Sequence, residues 1–315
     1  MKARPCDQVT ARPHTSEEKP AVNETISEWI ERHAHPLTTL DQRAPLDDLG
    51  PLGDMAADAA IVAVGASTRQ AHELSAVAHR ILRLLVEKRG FRSLALEGDD
   101  PERVGLGAYV RTGHGDPRAL LARARPFWRT EEILGVVTWM RAHNERHPHD
   151  PVRFAGLPES SRPAPLTRED LEERLADDVI RWRERSGDKI VYWGGIAHTI
   201  QSPGHLGGHL RERFGSGYLS IGLTFEYGAL PMPVPSPPAD FAETPLSAAG
   251  LDAFLLDLRT PGPEPVRAWL EEPARTRLIG PTQDPTEHLS GGSFGDWFDI
   301  VAHQRRVTPV HLISI

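Results

Sequence analysis

Residues 59–97 contain two short apolar runs separated by one amphipathic stretch, and this pattern constrains the fold most strongly. The first run, residues 59–65, is continuously apolar and ends in glycine, which is typical of a parallel strand buried on both faces. Apolar residues recur at helical spacing over residues 69–88, and Gly90 is placed to end that helix. The second run, residues 93–96, resembles another buried strand. We therefore predict a β-α-β unit with two parallel strands lying near each other.

The same alternation of strands and helices continues along the chain. The proline-rich residues 231–238 predict a surface loop or lid edge rather than a linker, because a strand pattern resumes after them. The fold class is predicted to be α/β, with one domain over residues 22–315, a central mainly parallel sheet flanked by helices, and a disordered leader over residues 1–21. Further predicted strands are 152–156, 189–194, 218–223, 253–258, 299–302 and 310–313, and further predicted helices are 23–35, 101–111, 117–125, 130–146, 168–185 and 205–213.

Composition excludes several classes of partner and compartment. The 315 residues carry a net charge of −8, which argues against nucleic acid, since phosphate backbones are bound by clustered Lys and Arg. No apolar run approaches the roughly 20 residues of a membrane span, and the polar N-terminus lacks the apolar core of a secretory signal. Cys6 is the only cysteine, so no intramolecular disulfide is possible. We expect a cytoplasmic protein without nucleic acid or membrane partners, and its oligomeric state stays open.

Polar residues follow three of the predicted parallel strands, where ligands bind in sheets of this class. An acid, a base and a cation would converge there from separate strands, as in α/β active sites, although such residues can also be ordinary polar strand ends. We predict Glu97, His198 and His72 as catalytic groups. The predicted substrate contacts at these strand ends are Ser67, Thr68, Arg69, Glu73 and Asp99.

Three other motifs are better explained as structural features. The stretch 291–295 matches G-x-S-x-G, but the polar residues before it predict a loop rather than the strand that a nucleophile elbow requires. His205 and His209 have the spacing of helical zinc ligands, but two glycines lie between them and no glutamate occupies the base position. Residues 147–150 predict a solvated turn. With no P-loop, dinucleotide fingerprint or C-x-x-C either, we predict no metal and no cofactor.

Residues 62–97 resemble the first conserved block of the erythromycin esterase family, a strand followed by G-E-x-[ST]-H, a helix with an Arg-His pair, then G-F and a strand ending in glutamate. Residues 108–111, 127–144, 152–157 and 188–225 resemble later blocks in the same order. The resemblance implies a macrolide-lactone hydrolase in which a histidine activates water beside carboxylates, without a covalent intermediate. These blocks add Trp128, Glu131 and Trp193 as predicted substrate contacts.

Carried over residue by residue, the family's catalytic groups are largely replaced. The first-block glutamate falls on Ala66, the general-base histidine on Arg69, and the arginine of the Arg-His pair on Ala78. The first histidine of the fourth-strand motif falls on Gly195. The long helical excursion that helps to wall the macrolide cleft is almost absent before residue 168. A guanidinium stays protonated, so Arg69 cannot serve as a general base.

The family's groups that remain are His79, Glu97 and His198, so His79 is also predicted to be a catalytic group. Three competing functions follow. The first is a divergent enzyme of natural-product metabolism, as in antibiotic biosynthesis, that uses acid–base chemistry for a cyclisation, rearrangement or elimination. The second is a metal-independent esterase or lactone hydrolase in which His72 replaces the lost base. The third is a non-catalytic binding protein that keeps the cleft without the chemistry. In each, the partner is a small natural product.

Overall fold

The computed structural model describes residues 24–98, 101–156, 167–280, 284 and 286–314. Its strands are β1 His35–Pro36, β2 Ile61–Ala66, β3 Phe91–Leu96, β4 Arg153–Phe154, β5 Lys189–Gly195, β6 Tyr218–Ala229, β7 Pro233–Val234, β8 Ala253–Asp257, β9 Pro273–Arg277, β10 His288–Ser293 and β11 Ile300–Val307. Its α-helices are α1 Ile26–His33, α2 Gly50–Met55, α3 His72–Arg89, α4 Pro101–Val104, α5 Leu106–Thr112, α6 Pro117–Leu121, α7 Glu131–Arg146, α8 Arg168–Ser186, α9 Ile196–Thr199, α10 Leu206–Phe214, α11 Thr244–Ala248, α12 Glu264–Glu271 and α13 Phe294–Trp297.

Nine strands form one mixed sheet in the order β1-β8-β11-β6-β2-β5-β3-β4, with β7 paired to the end of β6. The pairs from β11 to β4 are parallel, and β1, β8 and β7 pair antiparallel to their neighbours. The predicted α/β class and mainly parallel central sheet are confirmed. The first β-α-β unit is also present, although β5 lies between β2 and β3.

Helices cover both faces of the sheet because successive strand residues point to opposite sides. Val62 and Val64 of β2 pack into the apolar cluster that contains the buried faces of α3 and α7. Ile61 and Ala63 pack into a second cluster with α8 and α10. Burial on both faces therefore explains the continuous apolar run of β2.

Local signals define most helix ends. The Thr25 and Glu28 side chains form a capping box at the start of α1, and Thr167 and Asp170 form another at the start of α8. Gly90 ends α3 with φ 73°, a left-handed conformation that favours glycine. None of the helices in the described part of the chain has the length and apolar character of a membrane span.

Two predictions about the C-terminal third were wrong. Residues 310–313 form no strand, and only isolated bridges occur there, at Pro309 and Leu312. The amides of Val310 and Ile313 donate instead to the carbonyls of Gln70 and Arg129, in two different loops. The polar stretch before Gly291, predicted to be a loop, includes part of strand β10, which pairs with β9 in a separate hairpin. The predicted leader, residues 1–21, and the shortened excursion before residue 168 lie mainly outside the described residues.

Candidate active site

Three neighbouring strands end at the same edge of the sheet and place charged side chains beside one another. Arg69 follows β2, Glu97 follows β3, and His198 lies in α9 directly after β5. Because β5 is parallel to both β2 and β3 and lies between them, the three residues meet at one edge. Glu172 of α8 extends the group. We call Arg69, Glu97, His198 and Glu172 the charge row.

Positive and negative groups alternate along the charge row. The Arg69 guanidinium contacts the Glu97 carboxylate, and His198 Nε2 lies 3.3 Å from Glu97 Oε1. On its other side, His198 Nδ1 lies 2.8 Å from Glu172 Oε1. The backbone N–H of Gly195 also donates to Glu97 Oε2, at 2.6 Å. Each buried carboxylate therefore faces a cationic partner, as a buried charge requires.

The two glycines that end β5 make room for this arrangement. A Cβ atom at Gly194 would lie 2.5 Å from Glu97 Oε2, and one at Gly195 would lie 3.1 Å from Arg69 Nη2. The first distance is shorter than any ordinary contact, so an alanine at Gly194 would displace the Glu97 carboxylate. The absence of side chains here allows Arg69 and Glu97 to pair at the strand ends.

Neighbouring charges shift the pKa values of Glu97 and His198 in the charge row. Burial would raise the pKa of Glu97, but the charges of His198 and Arg69 lower it to about 2. Burial would lower the pKa of His198, but Glu97 and Glu172 together raise it to about 10. At neutral pH His198 is therefore an imidazolium, which donates protons and cannot accept one.

A cleft of about 640 Å³ opens beside Arg69. Apolar side chains form most of its wall, and Arg69, Gln70 and Thr130 supply polar groups. The Arg69 guanidinium carbon lies 4.5 Å from the centroid of the Phe127 ring, which fixes the cation over an aromatic face. The remaining lining residues are Pro126, Pro231, Ile279, Gly280, Pro309, Val310 and Leu312. The shape and lining suit a mainly apolar small molecule with one oxygen or anionic group facing Arg69.

Comparison with known proteins identifies the family. The family model described as Erythromycin esterase matches residues 86–173 and 160–307, which is most of the chain. The chain belongs to the erythromycin esterase family. It is also 29% identical over 130 residues to "Putative hydrolase YbfO" of Bacillus subtilis (strain 168), a match that covers 41% of this chain and 28% of that relative.

Solved structures share the erythromycin esterase fold over nearly the whole chain. A Bacillus cereus protein superposes with a TM-score of 0.76 at 23% identity, covering 92% of this chain and 98% of that one. A succinoglycan biosynthesis protein gives 0.78 at 20% identity, covering 91% and 97%. A mutant of the erythromycin esterase EreC in its open conformation gives 0.65 at 12% identity, covering 88% and 98%. At these identities the likeness extends to the fold alone.

Three of the positions at which the sequence resemblance predicts replaced groups, Ala66, Arg69 and Gly195, lie in or near the charge row. Arg69, which the resemblance aligns with the family's general base, contacts Glu97 and lines the cleft. Gly195, which the resemblance aligns with a family histidine, donates its backbone N–H to Glu97. Ala66 ends β2 and is buried. Of these positions, Arg69 therefore forms an ion pair with Glu97, and Gly195 adds a backbone hydrogen bond to the same carboxylate.

The two tryptophans predicted as substrate contacts pack near Glu97, away from the cleft. Trp128 Nε1 donates to the Glu97 backbone carbonyl at 3.0 Å, and its ring meets that of Trp193 edge to face at 6.1 Å between centroids. Both side chains are buried, and neither lines the cleft. Their positions fit a role in orienting Glu97 rather than direct contact with a ligand.

Three of the predicted polar contacts shape the turn after β2. Ser67 is buried, and its backbone bonds to Leu223 and Ile279. Thr68 Oγ1 accepts from the Gln70 N–H at 3.2 Å. Glu73 accepts from the backbone N–H and the hydroxyl of Thr308, at 2.6 and 2.7 Å. The hydrogen bond of Thr68 is local, and those of Glu73 connect the start of α3 to the residues after β11. Asp99, the remaining strand-end prediction, lies outside the described residues.

His72 and Glu131 face a different recess from the cleft. His72 Nδ1 lies 2.7 Å from Glu132 Oε1, and His311 Nδ1 lies 2.8 Å from the same oxygen. We call His72, Glu132 and His311 the histidine cluster. Glu131 forms a two-pronged ion pair with Arg118. Both His72 and Glu131 line the recess that holds the histidine cluster, and neither lines the cleft beside Arg69.

His79, predicted to be catalytic, lies in the core between α3 and α7. Its ring packs against Trp139 with 5.7 Å between centroids, and neither ring nitrogen has a hydrogen-bond partner among the described residues. Burial lowers the pKa of His79 to about 3, and the Arg83 charge adds to this effect. The structure therefore does not bring His79 to the charge row, and at neutral pH its ring is uncharged.

Sequence reasoning missed Glu172, Glu132 and His311. Glu172 shares the buried face of α8 with Leu175 and Ala176, three and four residues further on. An acidic residue on an apolar helical face is the signal that could have revealed it. No local pattern pairs Glu132 with His311, because their contact depends on how the C-terminal residues cross α7.

The three discounted motifs have structural roles among the described residues. Contrary to the predicted loop, Ser293 ends β10 and precedes α13, but its buried Oγ caps that helix by accepting from the Asp296 N–H. His205 Nδ1 lies 2.7 Å from the Ala197 carbonyl oxygen, and Asp150 pairs with Arg92. None of these residues belongs to a group of three potential metal ligands in the described part of the chain.

Proposed function

We propose that this member of the erythromycin esterase family is an enzyme of natural-product metabolism that binds a mainly apolar small molecule in the cleft. The reaction is a proton-transfer process, namely a cyclisation, rearrangement or elimination. The observation that carries this proposal is the His198 ring held between the Glu97 and Glu172 carboxylates, with Arg69 extending from the same row to the cleft.

Each member of the charge row has a distinct part in this reaction. Arg69 binds a substrate oxygen and stabilises the negative charge that develops on it. His198 is the proton donor, since its raised pKa keeps it protonated at neutral pH. It does not line the cleft, but its side chain is 21% exposed, so the reacting end of the substrate must extend past Arg69 to reach it. Glu97 contacts both cations and holds them in position. The proton lost by His198 is restored when the substrate releases a proton from carbon or oxygen, so the cycle requires no activated water.

Support for a non-hydrolytic reaction comes from the groups that face the cleft. A water nucleophile is activated by a base that accepts its proton near neutral pH. Among the described residues that line the cleft, Arg69, Gln70 and Thr130 carry the polar side chains, and none of these is such a base.

Mass spectrometry of incubated substrates tests the reaction class. The wild-type chain would be incubated with a panel of linear and macrocyclic hydroxy acids, esters and lactones. We expect a product of unchanged mass for rearrangement, or a product lighter by one water for cyclisation or elimination, and we expect its loss in Glu97→Gln and His198→Gln. The matched control Glu145→Gln, in a surface pair with Arg141, keeps full turnover. Full turnover in both row variants would refute the proposal.

Ester or lactone hydrolysis is the second candidate, supported by the family and by the name of the relative YbfO. In that reading His72 is the relocated base, but it lies in the recess of the histidine cluster and contacts Glu132. Release of 4-nitrophenol from 4-nitrophenyl butyrate by the wild type, lost in His72→Ala, would favour hydrolysis. Saturable binding of panel members without any product would favour the third hypothesis, a binding protein.

A further inference from the structure

The histidine cluster joins three parts of the chain that are distant in sequence. His72 begins α3, Glu132 lies in the first turn of α7, and His311 belongs to the C-terminal residues beyond β11. Their ligand atoms, two imidazole nitrogens and one carboxylate oxygen, all lie within 4.8 Å of one another. In the described part of the chain this is the one group of three such residues that are close enough to share an ion.

The two imidazoles approach the carboxylate from different directions. Their ring planes are inclined by 82°, with 5.1 Å between the centroids, and both Nδ1 atoms converge on Glu132 Oε1. The backbone N–H of His311 also lies 3.2 and 3.3 Å from the two Glu132 oxygens, which orients the carboxylate. This geometry directs two imidazole nitrogens and one carboxylate oxygen, all possible metal ligands, towards the same position.

Glu132 differs from the carboxylates of the charge row in its partners. Its side chain is only 2% exposed, and among the described residues its ion pairs are with His72 and His311, with no Arg or Lys. A neutral imidazole binds a transition metal through one ring nitrogen, whereas a guanidinium cannot bind one. The imidazoles of His72 and His311 can therefore bind a metal ion together with the Glu132 carboxylate.

Two histidines and one carboxylate form the ligand set of zinc sites that keep an open coordination position. The recess beside the cluster gives an ion access from solvent, and Asp41, Arg43 and Glu131 are the charged residues that line it outside the cluster. The His311 side chain is 66% exposed, so it can adjust to the bond length of about 2.0–2.1 Å that a zinc–imidazole contact requires.

We propose that His72, Glu132 and His311 bind one divalent transition metal ion of the zinc class. This site is separate from the charge row, and its occupancy does not depend on the reaction proposed for the cleft. It departs from the expectation of the sequence analysis that the chain has no metal site. Spacing motifs could not reveal it, because its ligands are 60 and 179 residues apart.

A metal in this site would also hold one wall of the cleft. Pro309, Val310 and Leu312 line the cleft on either side of His311 in the chain. Coordination of His311 to residues of α3 and α7 would therefore restrain this segment. The expected structural role is a clasp that links the C-terminal residues to the two helices.

Binding of Co²⁺ and Zn²⁺ to the chelator-treated full chain tests the site. We expect one Co²⁺ per chain with visible d–d absorption, displaced by Zn²⁺, and proton release on binding because both imidazoles must be neutral. Loss of an outer-shell partner costs ten- to a hundredfold in affinity, so His311→Ala or His72→Ala should weaken binding by more than about 100-fold. His311 is largely exposed, so its variant is expected to fold, and circular dichroism checks this.

A matched control and a second readout keep the outcome unambiguous. His114→Ala removes an exposed histidine outside the cluster and should leave Co²⁺ affinity unchanged. Zn²⁺ at 100 times its dissociation constant should lower the unfolding equilibrium constant about 100-fold in the wild type and leave it unchanged in His311→Ala. Absence of stoichiometric binding, or equal affinity in the wild type and both cluster variants, would overturn the proposal. Neither result would bear on turnover by the charge row.

Discussion

The charge row and the histidine cluster begin only three residues apart, at Arg69 and His72, yet their chemistry differs. In the row, buried carboxylates face a guanidinium and an imidazolium whose pKa is raised to about 10. In the cluster, a buried carboxylate faces two imidazoles on the wall of a solvent-filled recess. Hydrogen bonding to Glu132 raises the pKa of His72 as well, but a histidine open to solvent can release its proton or exchange it for a metal. The charges of the row are therefore fixed, whereas the histidines of the cluster can exchange a proton for a metal ion.

Removal of the central carboxylate of the row should have the largest effect. Glu97→Gln would leave Arg69 and His198 close together without the anion between them. Breaking a buried ion pair costs about 3–5 kcal/mol, and we expect a loss of that order in the free energy of unfolding. Urea denaturation of the purified variant measures it. Glu145→Gln, in an exposed pair, should cost less than about 1 kcal/mol; equal losses would mean that the row is not a special environment.

The alkaline pH dependence of stability should be the next largest effect. The pKa of His198 is about 10 in the folded chain against an ordinary value of 6.5, so its contribution is complete below pH 6.5 and is lost as pH rises towards 10. Between pH 7 and 9 this contribution should fall by on the order of 2 kcal/mol. Urea denaturation across that range, compared between the wild type and His198→Gln, isolates the effect. Parallel curves for the two proteins would contradict the proposed ionised state.

Replacement of Glu132, the carboxylate of the histidine cluster, should lower the free energy of unfolding by less than replacement of Glu97 does. Glu132→Gln keeps the shape of the side chain, and its partners can lose their protons to water, which a guanidinium cannot do. We expect a loss of about 2 kcal/mol at pH 7 in metal-free buffer, measured by the same denaturation. A loss as large as that of Glu97→Gln would remove the distinction between a fixed and an exchangeable arrangement.

The smallest effect is expected at His79, which belongs to neither group. His79→Leu replaces a buried ring without hydrogen-bond partners by an apolar side chain, so stability at pH 7 should change by less than about 1 kcal/mol. The folded pKa of His79 is about 3 against an ordinary 6.5, so the wild type loses stability as pH falls below 6.5. The variant should therefore be more stable than the wild type at pH 5, and thermal unfolding of the two proteins measures this difference. Abolished turnover with an intact fold would instead restore the catalytic prediction.

The sequence allowed the charge row to be predicted further than the histidine cluster, for a topological reason. Arg69, Glu97 and His198 each follow a parallel strand, and parallel strands end at one edge of the sheet, so their convergence follows from the order of elements. To predict the position of Glu172, one would need to know which face of α8 is buried against the sheet. To predict the contact between Glu132 and His311, one would need the path of the residues beyond β11. A strand was predicted there, but residues 309–313 form an irregular segment, here called the crossing segment.

The family resemblance was accurate for the fold and less informative for individual side chains. It placed His79 among the retained groups, but that histidine is buried in the core next to Ala78. It also placed Trp128 and Trp193 near the site, but it could not show that they lie behind Glu97.

The crossing segment has a consequence for the order in which the molecule folds. Glu73 and Thr308 are 235 residues apart, and they meet where the segment passes the start of α3. Contacts between such distant positions carry a large loop-closure entropy and form late, after the sheet has brought both ends of the segment into range. The wall formed by Pro309, Val310 and Leu312 would then be completed in one of the last steps of folding. Ligand capture during refolding would therefore report the arrival of the native state rather than an early intermediate.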